Sequence, residues 1–269
     1  MIEISEWFGR LGNNVHQLIT GHLLADHYGC DLLYPHHDLI AQKKNNPDSR
    51  PPSIIKSNLF YRKDLPELSS VTEQNIRDIC LTKIEPSLNI KNYEVPKDII
   101  TIHIRNGDIF TTKGSHPNYI QPPLQYYKHI LNHENIKNYD NVWVLSQDIK
   151  PCSPVVDGLK KMGCRILKLD TKDSIAVLSN SQKLICSLSS FSRHFFYTSK
   201  NAQRLYIPDY SYKEGPALYA SVYGSGLNDI DLYKANLPSY VQWGDWSASK
   251  DQLKLMLSYD ENIDIIKIN

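Results

Sequence analysis

The order of apolar segments along the chain constrains the fold more than any other feature of this sequence. Between residues 98 and 207, short apolar segments rich in β-branched residues alternate with segments whose apolar side chains recur every three or four positions. This alternation predicts parallel strands joined by helices, the pattern of a doubly wound α/β sheet. The predicted strands are residues 98–105, 141–146, 164–169, 183–187 and 204–207, and the predicted helices are residues 122–131, 154–162, 174–179 and 191–199.

The N-terminal third carries a smaller version of the same pattern. An apolar segment at residues 2–8 precedes a glycine-containing turn, and the helix after it places Val15 and Leu18 on one face. Gly29 ends this helix, and residues 31–34 form the next predicted strand. The segment is therefore predicted to be a βαβ unit.

Together these patterns predict two Rossmann-like α/β domains that face each other across a cleft. The first would span residues 1–96 and the second residues 97–269, which end in an amphipathic helix at 249–258. The polar, proline-containing stretch at 42–53 predicts a surface loop, and residues 89–97 predict a second break. A cleft between two such domains is a common place for a ligand.

Composition excludes several classes of protein. The 30 Lys and Arg residues balance 29 Asp and Glu, and the net charge of +1 disfavours a general nucleic-acid binder. No apolar run approaches the roughly 18 residues of a membrane span, and the N-terminus lacks the basic and apolar regions of a secretory signal. The five cysteines include no CxxC pair, which disfavours a disulfide scaffold or a zinc site. We therefore expect a soluble, cytoplasmic protein with no transmembrane segment, reduced thiols and no metal.

The turn at residues 9–14, Gly-Arg-Leu-Gly-Asn-Asn, is the first candidate binding site. Gly9 and Gly12 permit positive φ angles and a close approach of the backbone to a ligand. The helix that follows offers free N–H groups and the positive end of its dipole to an anion. The spacing differs from the GxGxxG of dinucleotide-binding proteins, so a nicotinamide site is disfavoured. The alternative is an ordinary turn between a strand and a helix.

The second candidate is the strand end at residues 101–108. Because side chains alternate along a strand, His103 and Arg105 share one face and lie together at its carboxyl end, just before Gly107. Ligands of open α/β sheets bind at this end. The Arg105 guanidinium can donate hydrogen bonds to phosphate oxygens, and His103 can donate a hydrogen bond to a base or a sugar or accept one from it. The alternative is that Arg105 forms a structural ion pair with Asp108.

Two further motifs follow later strands. Asp148 could accept hydrogen bonds from the edge of a guanine, although capping the next helix is the simpler explanation from the residues alone. Residues 187–192, Ser-Leu-Ser-Ser-Phe-Ser, bring hydroxyl groups to the start of a helix. They could cradle a phosphate there, or they could only cap the helix.

Taken in order, these motifs resemble those of alpha-1,2-fucosyltransferases. The turn GRLGNN is similar to that family's G-[RG]-L-G-N-Q, and IHIRNGD is similar to its H-x-R-R-G-D. LSQDIKPC at residues 145–152 resembles F-S-D-D-I-x-W-C, and residues 188–192 resemble N-S-T-F-S in their last four positions. A proline–tyrosine segment at 122–127 also matches, so the resemblance covers roughly residues 5–200. Protein O-fucosyltransferases and alpha-1,6-fucosyltransferases share a looser form of the pattern.

The resemblance implies a GT-B-like pair of Rossmann domains, inversion at the anomeric carbon, GDP-fucose as the donor substrate, a glycan as the acceptor, and no cofactor or metal. Arg105 would then bind the donor's β-phosphate, while His103 and Asp148 would hold the guanine. Asn13 and its turn would line the cleft near the transferred sugar. The residues implied to contact the donor are Gly9, Arg10, Gly12, His103, Arg105, Gly107, Asp148, Ser189, Ser190, Phe191 and Ser192.

Three departures from the family pattern motivate an alternative donor. Asn106 stands where the family has a second arginine, and Asn14 stands where it has a glutamine. Arg193 and His194 replace tryptophans, and Arg193 could supply the charge that Asn106 lacks. The alternative is the same fold with another nucleotide sugar, such as a rhamnose or xylose donor. A further interpretation is a non-catalytic glycan- or nucleotide-binding protein.

A proton acceptor for the attacking hydroxyl is the remaining catalytic requirement, unless the transition state is loose enough not to need one. His16 lies one turn into the first helix, where it could face the cleft or pack in the core, and it joins Arg105 and Asn13 in the predicted catalytic set. Asp108 and the histidine pair at residues 36–37 are the other candidates. No DxD dyad follows a strand, so we expect cationic side chains to take the place of a divalent ion.

Overall fold

The part of the chain that the structure describes folds into a mixed α/β structure with two sheets in which most strands are parallel. The computed structural model describes residues 1–41, 55–59, 66–111, 113, 115–147, 149–210, 227–242 and 244–268. The strands are β1 Ile2–Ile4, β2 Leu32–Leu33, β3 Ile55–Ser57, β4 Ile100–Ile104, β5 Val142–Ser146, β6 Arg165–Leu167, β7 Lys183–Cys186, β8 Arg204–Asp209, β9 Asp231–Asn236 and β10 Ile265–Ile268. The helices are α1 Leu11–His27, α2 Glu73–Ile79, α3 Leu124–His133, α4 Pro154–Lys161, α5 Thr171–Leu178, α6 Ser190–Phe196 and α7 Lys250–Ser258.

The strand order of the larger sheet is β10-β9-β8-β7-β4-β5-β6. Its neighbouring strands are parallel except for β9 and β10, which are antiparallel. From β4 the chain proceeds outward through β5 and β6 on one side, and then through β7, β8 and β9 on the other. The order therefore reverses beside β4, and in open α/β sheets such a reversal opens a crevice at the carboxyl ends of the strands.

Each face of the larger sheet is covered by an apolar core. The smaller sheet packs into the core on one of these faces. The smaller sheet has the order β2-β1-β3 with parallel pairs. Its central strand β1 shares a core with α1, α2, α5 and α6, and the same core includes Leu184 of β7. Helices α3, α4 and α7 cover the opposite face. The boundary expected near residue 96 separates the two sheets in sequence, but the two sheets share one hydrophobic core.

Most elements predicted between residues 98 and 207 are confirmed, with ends shifted by a few residues. Ser153 caps α4 through a hydrogen bond from the Val155 N–H (3.4 Å), and Asp170 caps α5 through one from the Asp173 N–H (2.8 Å). The terminal helix is also confirmed as α7. No helix or strand forms at residues 89–97, in agreement with the predicted break. The loop predicted at residues 42–53 lies outside the described residues.

Helix α2 and strands β9 and β10 are elements that the sequence analysis missed. In α2 the residues that turn inward include the charged Glu73 and Arg77, so the helix lacks an apolar stripe. β9 and β10 mix charged and apolar residues and pair at one side of the sheet. Among the described helices, none combines the length and the apolarity that crossing a membrane requires.

A buried ionic network attaches α2 to α6. Glu73 and Arg193 form an ion pair of 3.0 Å, with 0% and 9% of their side chains exposed, and the Tyr197 hydroxyl donates to Glu73 Oε1 at 2.6 Å. Arg77 of α2 donates hydrogen bonds to the carbonyl oxygens of Tyr197 and Ser199, the second at 2.9 Å. Because a charge taken out of water is tolerated only with its partner, these contacts fix the position of α6.

We expect Glu73→Gln to destabilise the fold by about 3 kcal/mol, because it removes the carboxylate charge that pairs with the buried Arg193 guanidinium. Urea unfolding of the wild type and the variant measures the change. Glu85→Gln is the matched control, since Glu85 pairs with the exposed Lys200 at 3.0 Å, where an ion pair contributes about 1 kcal/mol or less. Equal effects of the two substitutions would contradict the assignment.

Candidate functional site

A cavity of about 630 Å³ opens beside the carboxyl end of β4, where the strand order of the larger sheet reverses. The start of α1 lines one side, and the end of β4 together with the connection from β7 to α6 lines the other. The cavity thus lies at the position that the strand order predicts for a ligand. The lining residues are 8–13, 103–105, Asp108, Tyr119, Gln147, Ile149, Thr171 and 188–191.

The structure brings most of the predicted donor-site residues together at this cavity. The predicted residues that line it are Gly9, Arg10, Gly12, Asn13, His103, Arg105, Ser189, Ser190 and Phe191. Gly107, Ser192 and His16 are described but do not line it. Asp148 lies outside the described residues. Motifs far apart in the sequence therefore meet at one site.

Gly12 allows the start of α1 to approach the start of α6. A Cβ atom at this position would lie 2.8 Å from the Phe191 backbone nitrogen and 2.9 Å from Ser190 Oγ. The sequence predicted that Gly12 lets the backbone come close to a ligand. In the structure, the segment that comes close to Gly12 is the start of α6. Gly9 has the positive φ that was expected, +70°, and the Asn13 side chain packs against it. The two glycines thus shape the turn and join the two helices.

The start of α1 lines the cavity. Arg10 occupies the N-cap position in an extended conformation, and its side chain makes no capping hydrogen bond. The N–H groups of Leu11 and Gly12 belong to the first turn, which has no intrahelical acceptor for them. Asn14 holds the turn from behind, because its Nδ2 donates to the Phe8 carbonyl oxygen at 3.1 Å. The arrangement suits an anion at the start of the helix.

Arg105 lines the cavity and also forms the ion pair that was considered as an alternative. Its Nη2 lies 3.5 Å from Asp108 Oδ1, and the Nη2 of Arg10 lies 3.5 Å from the same oxygen. The Arg105 guanidinium also lies over the Tyr119 ring, 4.4 Å from its centroid. The two interpretations of Arg105 are therefore compatible. One carboxylate faces two guanidiniums, and the cluster keeps an excess of positive charge.

His103 faces the same cavity as a neutral imidazole. It is 7% exposed, and its Nδ1 is buried without a hydrogen-bond partner. Burial, and secondly the charge of Arg105, lowers the pKa of His103 to about 4. A neutral ring has one nitrogen that donates and one that accepts. His103 can therefore bind an uncharged polar group of a ligand.

Ser189, Ser190 and Ser192 differ in their surroundings. Ser189 occupies the N-cap position of α6, but its side chain makes no capping hydrogen bond. The hydroxyls of Ser189 and Ser190 belong to the lining of the cavity. Ser192 is fully buried, and its hydroxyl donates to the Ser189 carbonyl oxygen at 3.3 Å. Ser192, a predicted donor contact, therefore does not line the cavity, because its hydroxyl is buried inside the first turn of α6.

Gly107, a predicted donor contact, has a structural role and does not line the cavity. Its φ of +87° turns the chain at the end of β4, and its N–H donates to the Pro151 carbonyl oxygen at 2.9 Å. A Cβ at Gly107 would lie 2.9 Å from Cγ2 of Ile149, which does line the cavity. Gly107 thus shapes the site from one layer behind its surface.

Asn106 and Arg193, two of the departures from the family pattern, are both buried outside the cavity. The Asn106 amide donates to Ser146 Oγ and to the Gln147 carbonyl oxygen, both at 2.7 Å, and its oxygen accepts from the Ser153 N–H at 2.8 Å. It therefore joins the ends of β4 and β5 to the start of α4. Arg193 pairs with Glu73 in the core. Arg193, which could have supplied the charge that Asn106 lacks, does not line the cavity, and Arg10 is the arginine that lines it beside Arg105.

His16 does not have the position expected of a catalytic base. It is 7% exposed, and its ring stacks on that of His194 with centroids 5.6 Å apart. The core packing considered as an alternative is thus what the structure shows for His16. His36 is exposed and contacts Asp38 at 3.2 Å, away from the cavity. Of the candidate bases named from the sequence, Asp108 is the one that lines the described cavity.

Gln147, Ile149 and Thr171 are lining residues that sequence reasoning missed. Gln147 and Ile149 follow β5, and Thr171 is the first residue of α5, which follows β6. The available signal was their position after the carboxyl ends of β5 and β6, on one side of β4. The same argument applies to every residue that directly follows the carboxyl end of a predicted parallel strand.

Comparison of the chain with models of known protein families, with curated proteins and with solved structures gives no match. Among the residues that the structure describes, no group of three or more His, Cys, Asp or Glu side chains is arranged to hold a metal ion.

We expect Gly12→Ala to destabilise the fold by about 1–3 kcal/mol, because the methyl group would collide with the α6 backbone. Gly21→Ala is the matched control in the same helix. The added methyl there would contact the end of the flexible Leu32 side chain at 2.7 Å. Alanine also favours a helix over glycine by about 1 kcal/mol. Urea unfolding should therefore show Gly12→Ala to be clearly the less stable variant, and the reverse order would contradict the contact.

We expect His103 to make the fold more stable as the pH rises from about 4 to about 6.5. Between the folded and unfolded pKa values the unfolded chain binds a proton that the folded chain excludes, so acid favours unfolding. The difference between the folded and unfolded pKa values corresponds to about 3 kcal/mol of folding stability. This stability is fully present above pH 6.5 and is lost as the pH falls toward 4. His103→Asn should remove this part of the pH dependence in urea unfolding, while His36→Asn, at an exposed histidine, should not. An unchanged slope in His103→Asn would show that the ring is not held neutral.

Proposed function

We propose that the protein is an inverting, metal-independent glycosyltransferase that moves fucose from GDP-fucose to a hydroxyl of a glycan acceptor. In this proposal the two sheets and their helices act as a GT-B-like pair of Rossmann-like units, with the donor bound between them. The motifs that resemble those of alpha-1,2-fucosyltransferases contribute most of the lining of one cavity.

The convergence of Arg105 and Arg10 on this cavity, beside the start of α1, is the observation that carries the proposal. A nucleotide sugar presents its negative charge on the diphosphate, and guanidiniums and helix N-terminal amides are the groups that bind phosphate oxygens. The hydroxyls of Ser189 and Ser190 add further donors. The volume of about 630 Å³ falls within the range of roughly 300–1,000 Å³ for small-molecule sites.

The same groups explain how the site would promote transfer. When the bond between the sugar and the diphosphate breaks, negative charge develops on the β-phosphate. Arg105 and Arg10, which both lie at the cavity, would stabilise this charge more in the transition state than in the ground state. These cationic side chains would take the part that a divalent ion plays in metal-dependent transferases. Asn13 would lie beside the transferred sugar.

His103 provides a means of recognising the nucleoside. Its buried, unpartnered Nδ1 lies on a neutral ring that faces the cavity. A base or a ribose hydroxyl would satisfy this atom, and a buried polar atom left unsatisfied costs about 1–3 kcal/mol. The resemblance assigns this position to the guanine of the donor.

The donor could carry a sugar other than fucose, and the surroundings of Asn106 favour this alternative. The family's second arginine is replaced by a buried amide that ties strand ends together. The charge pattern at the diphosphate therefore differs from the family's, and another nucleotide sugar, such as a rhamnose or xylose donor, would use the same guanidiniums. The donor's base and sugar are the features to test.

A panel of ligands in a thermal-unfolding assay distinguishes these donors. Ligands that bind the folded chain raise its melting temperature in proportion to the logarithm of concentration over Kd. We expect GDP and GDP-fucose to stabilise the protein more than UDP or TDP. Stabilisation by UDP or TDP but not by GDP would overturn the fucose donor. Binding of GDP without transfer or donor hydrolysis would indicate a nucleotide-binding protein in place of an enzyme.

We expect Arg105→Ala to lower the rate of sugar transfer by about 10²–10³-fold, the usual effect of removing one donor that stabilises a developing oxyanion. Arg165→Ala is the control, since Arg165 is exposed on the edge strand β6 and contacts Trp143 outside the cavity. Release of GDP from GDP-fucose in the presence of glycan acceptors measures turnover, and circular dichroism checks the fold. Normal turnover in Arg105→Ala would remove Arg105 from the proposed mechanism.

A further inference from the structure

Asp108 places one carboxylate oxygen between the two arginines of the cavity. Its Oδ1 is buried and lies 3.5 Å from Nη2 of both Arg10 and Arg105. Arg10 comes from the turn before α1, whereas Asp108 and Arg105 follow β4, so this oxygen connects the two sides of the cavity. The carboxylate thus takes a position between two guanidiniums where a phosphate oxygen could also bind.

Neither contact is a strong ion pair. Charge-assisted hydrogen bonds between a guanidinium and a carboxylate measure about 2.7–2.9 Å, and Asp108 Oδ1 forms no hydrogen bond to either arginine. The side chains of Arg10, Arg105 and Asp108 are 64%, 23% and 40% exposed. Ion pairs of this length and exposure contribute little to stability. An anion that makes shorter, better aligned hydrogen bonds to the guanidiniums would displace the carboxylate.

The position of Asp108 does not suit a catalytic base. In an inverting transfer the acceptor hydroxyl attacks the face of the sugar opposite the departing diphosphate. A base must therefore lie across the sugar from the groups that bind the diphosphate. Asp108 lies directly between those groups, on the leaving-group side. Its effect should be on the binding of the diphosphate.

We propose that Asp108 competes with the diphosphate for Arg10 and Arg105 and thereby sets the affinity of the site for diphosphates. This inference rests on the proposed function for its substrate class, nucleoside diphosphates. With the carboxylate in place, both guanidiniums are held at the cavity, but the attraction for any phosphate is weakened by one opposing charge. A nucleoside diphosphate product ends in a free phosphate group and carries more negative charge than the donor. A carboxylate beside it favours its release.

Calorimetric titration of the full chain with inorganic pyrophosphate and with GDP tests the proposal. Asp108→Asn removes the charge at nearly constant shape, and we expect it to lower the Kd for pyrophosphate about tenfold, as the loss of one nearby like charge predicts. The gain should shrink as salt is added, because the interaction is screened. Asp260→Asn makes the same change of net charge at an exposed residue outside the cavity and should leave the Kd unaltered.

Two further variants test whether the change in affinity comes from the Asp108 charge and from Arg10. Asp108→Ser removes the same charge with a smaller side chain, and it replaces Asp108→Asn if that protein does not keep the melting temperature of the wild type. In the Arg10→Ala background, Asp108→Asn should tighten pyrophosphate binding clearly less than in the wild-type background, since one competed guanidinium is gone. Unchanged or weaker binding in both Asp108 variants overturns the competition. If Asp108→Asn tightens pyrophosphate binding by the full amount in the Arg10→Ala background, Asp108 does not compete for Arg10.

The two probes separate this inference from the proposed function. If pyrophosphate binds more tightly to Asp108→Asn while GDP and GDP-fucose do not bind at all, the competition stands and the proposed function fails. If GDP binds but the Asp108 variants bind pyrophosphate and GDP no more tightly than the wild type, the competition fails and the proposed function stands. In turnover assays, Asp108→Asn should also be inhibited by GDP at about tenfold lower concentration than the wild type.

Discussion

The close approach of α1 to α6 at Gly12 is the contact on which the rest of the site depends. It brings a turn from the first fifteen residues against a helix that starts near residue 190, and it places Arg10 opposite the end of β4. Packing of the smaller sheet and the larger sheet around one core makes this approach possible, since β1, α1 and α6 contribute to the same apolar layer. A side chain at Gly12 would collide with the start of α6 and push the two helix starts apart.

Charge is divided between two environments in this structure. Glu73, Arg193 and Arg77 are buried, fully paired and used to hold α2 and α6 in place. Arg10, Arg105 and Asp108 are partly exposed, loosely paired and available to a ligand. The difference is physical: a buried pair cannot be broken without leaving an uncompensated charge, whereas the looser cluster can exchange its carboxylate for another anion. Arg193 belongs to the first group although its motif suggested the second.

The sequence predicted the elements whose stability follows from local pattern. Strands β5 and β7 are mostly apolar, and β4 alternates isoleucines with Thr101 and His103. Helices α4, α5 and α7 begin at capping residues that the sequence displays. Alternation along β4 placed His103 and Arg105 on one face at the sheet's carboxyl end, as found. Helix α2 was missed because its buried residues include charged ones whose partners lie more than 100 positions away. Apolar periodicity carries no signal for such contacts.

The sequence by itself determined a parallel α/β sheet, a glycine turn before a long helix, and a histidine and an arginine at the end of the central strand. These follow from spacing and side-chain type, which act over a few residues. Only the tertiary structure decided that Arg10 joins Arg105 around Asp108, that His16 stacks on His194, and that Asn106 and Arg193 lie outside the cavity. Each of these depends on which distant segments pack together, and packing is fixed by the fit of the whole core and not by any one motif.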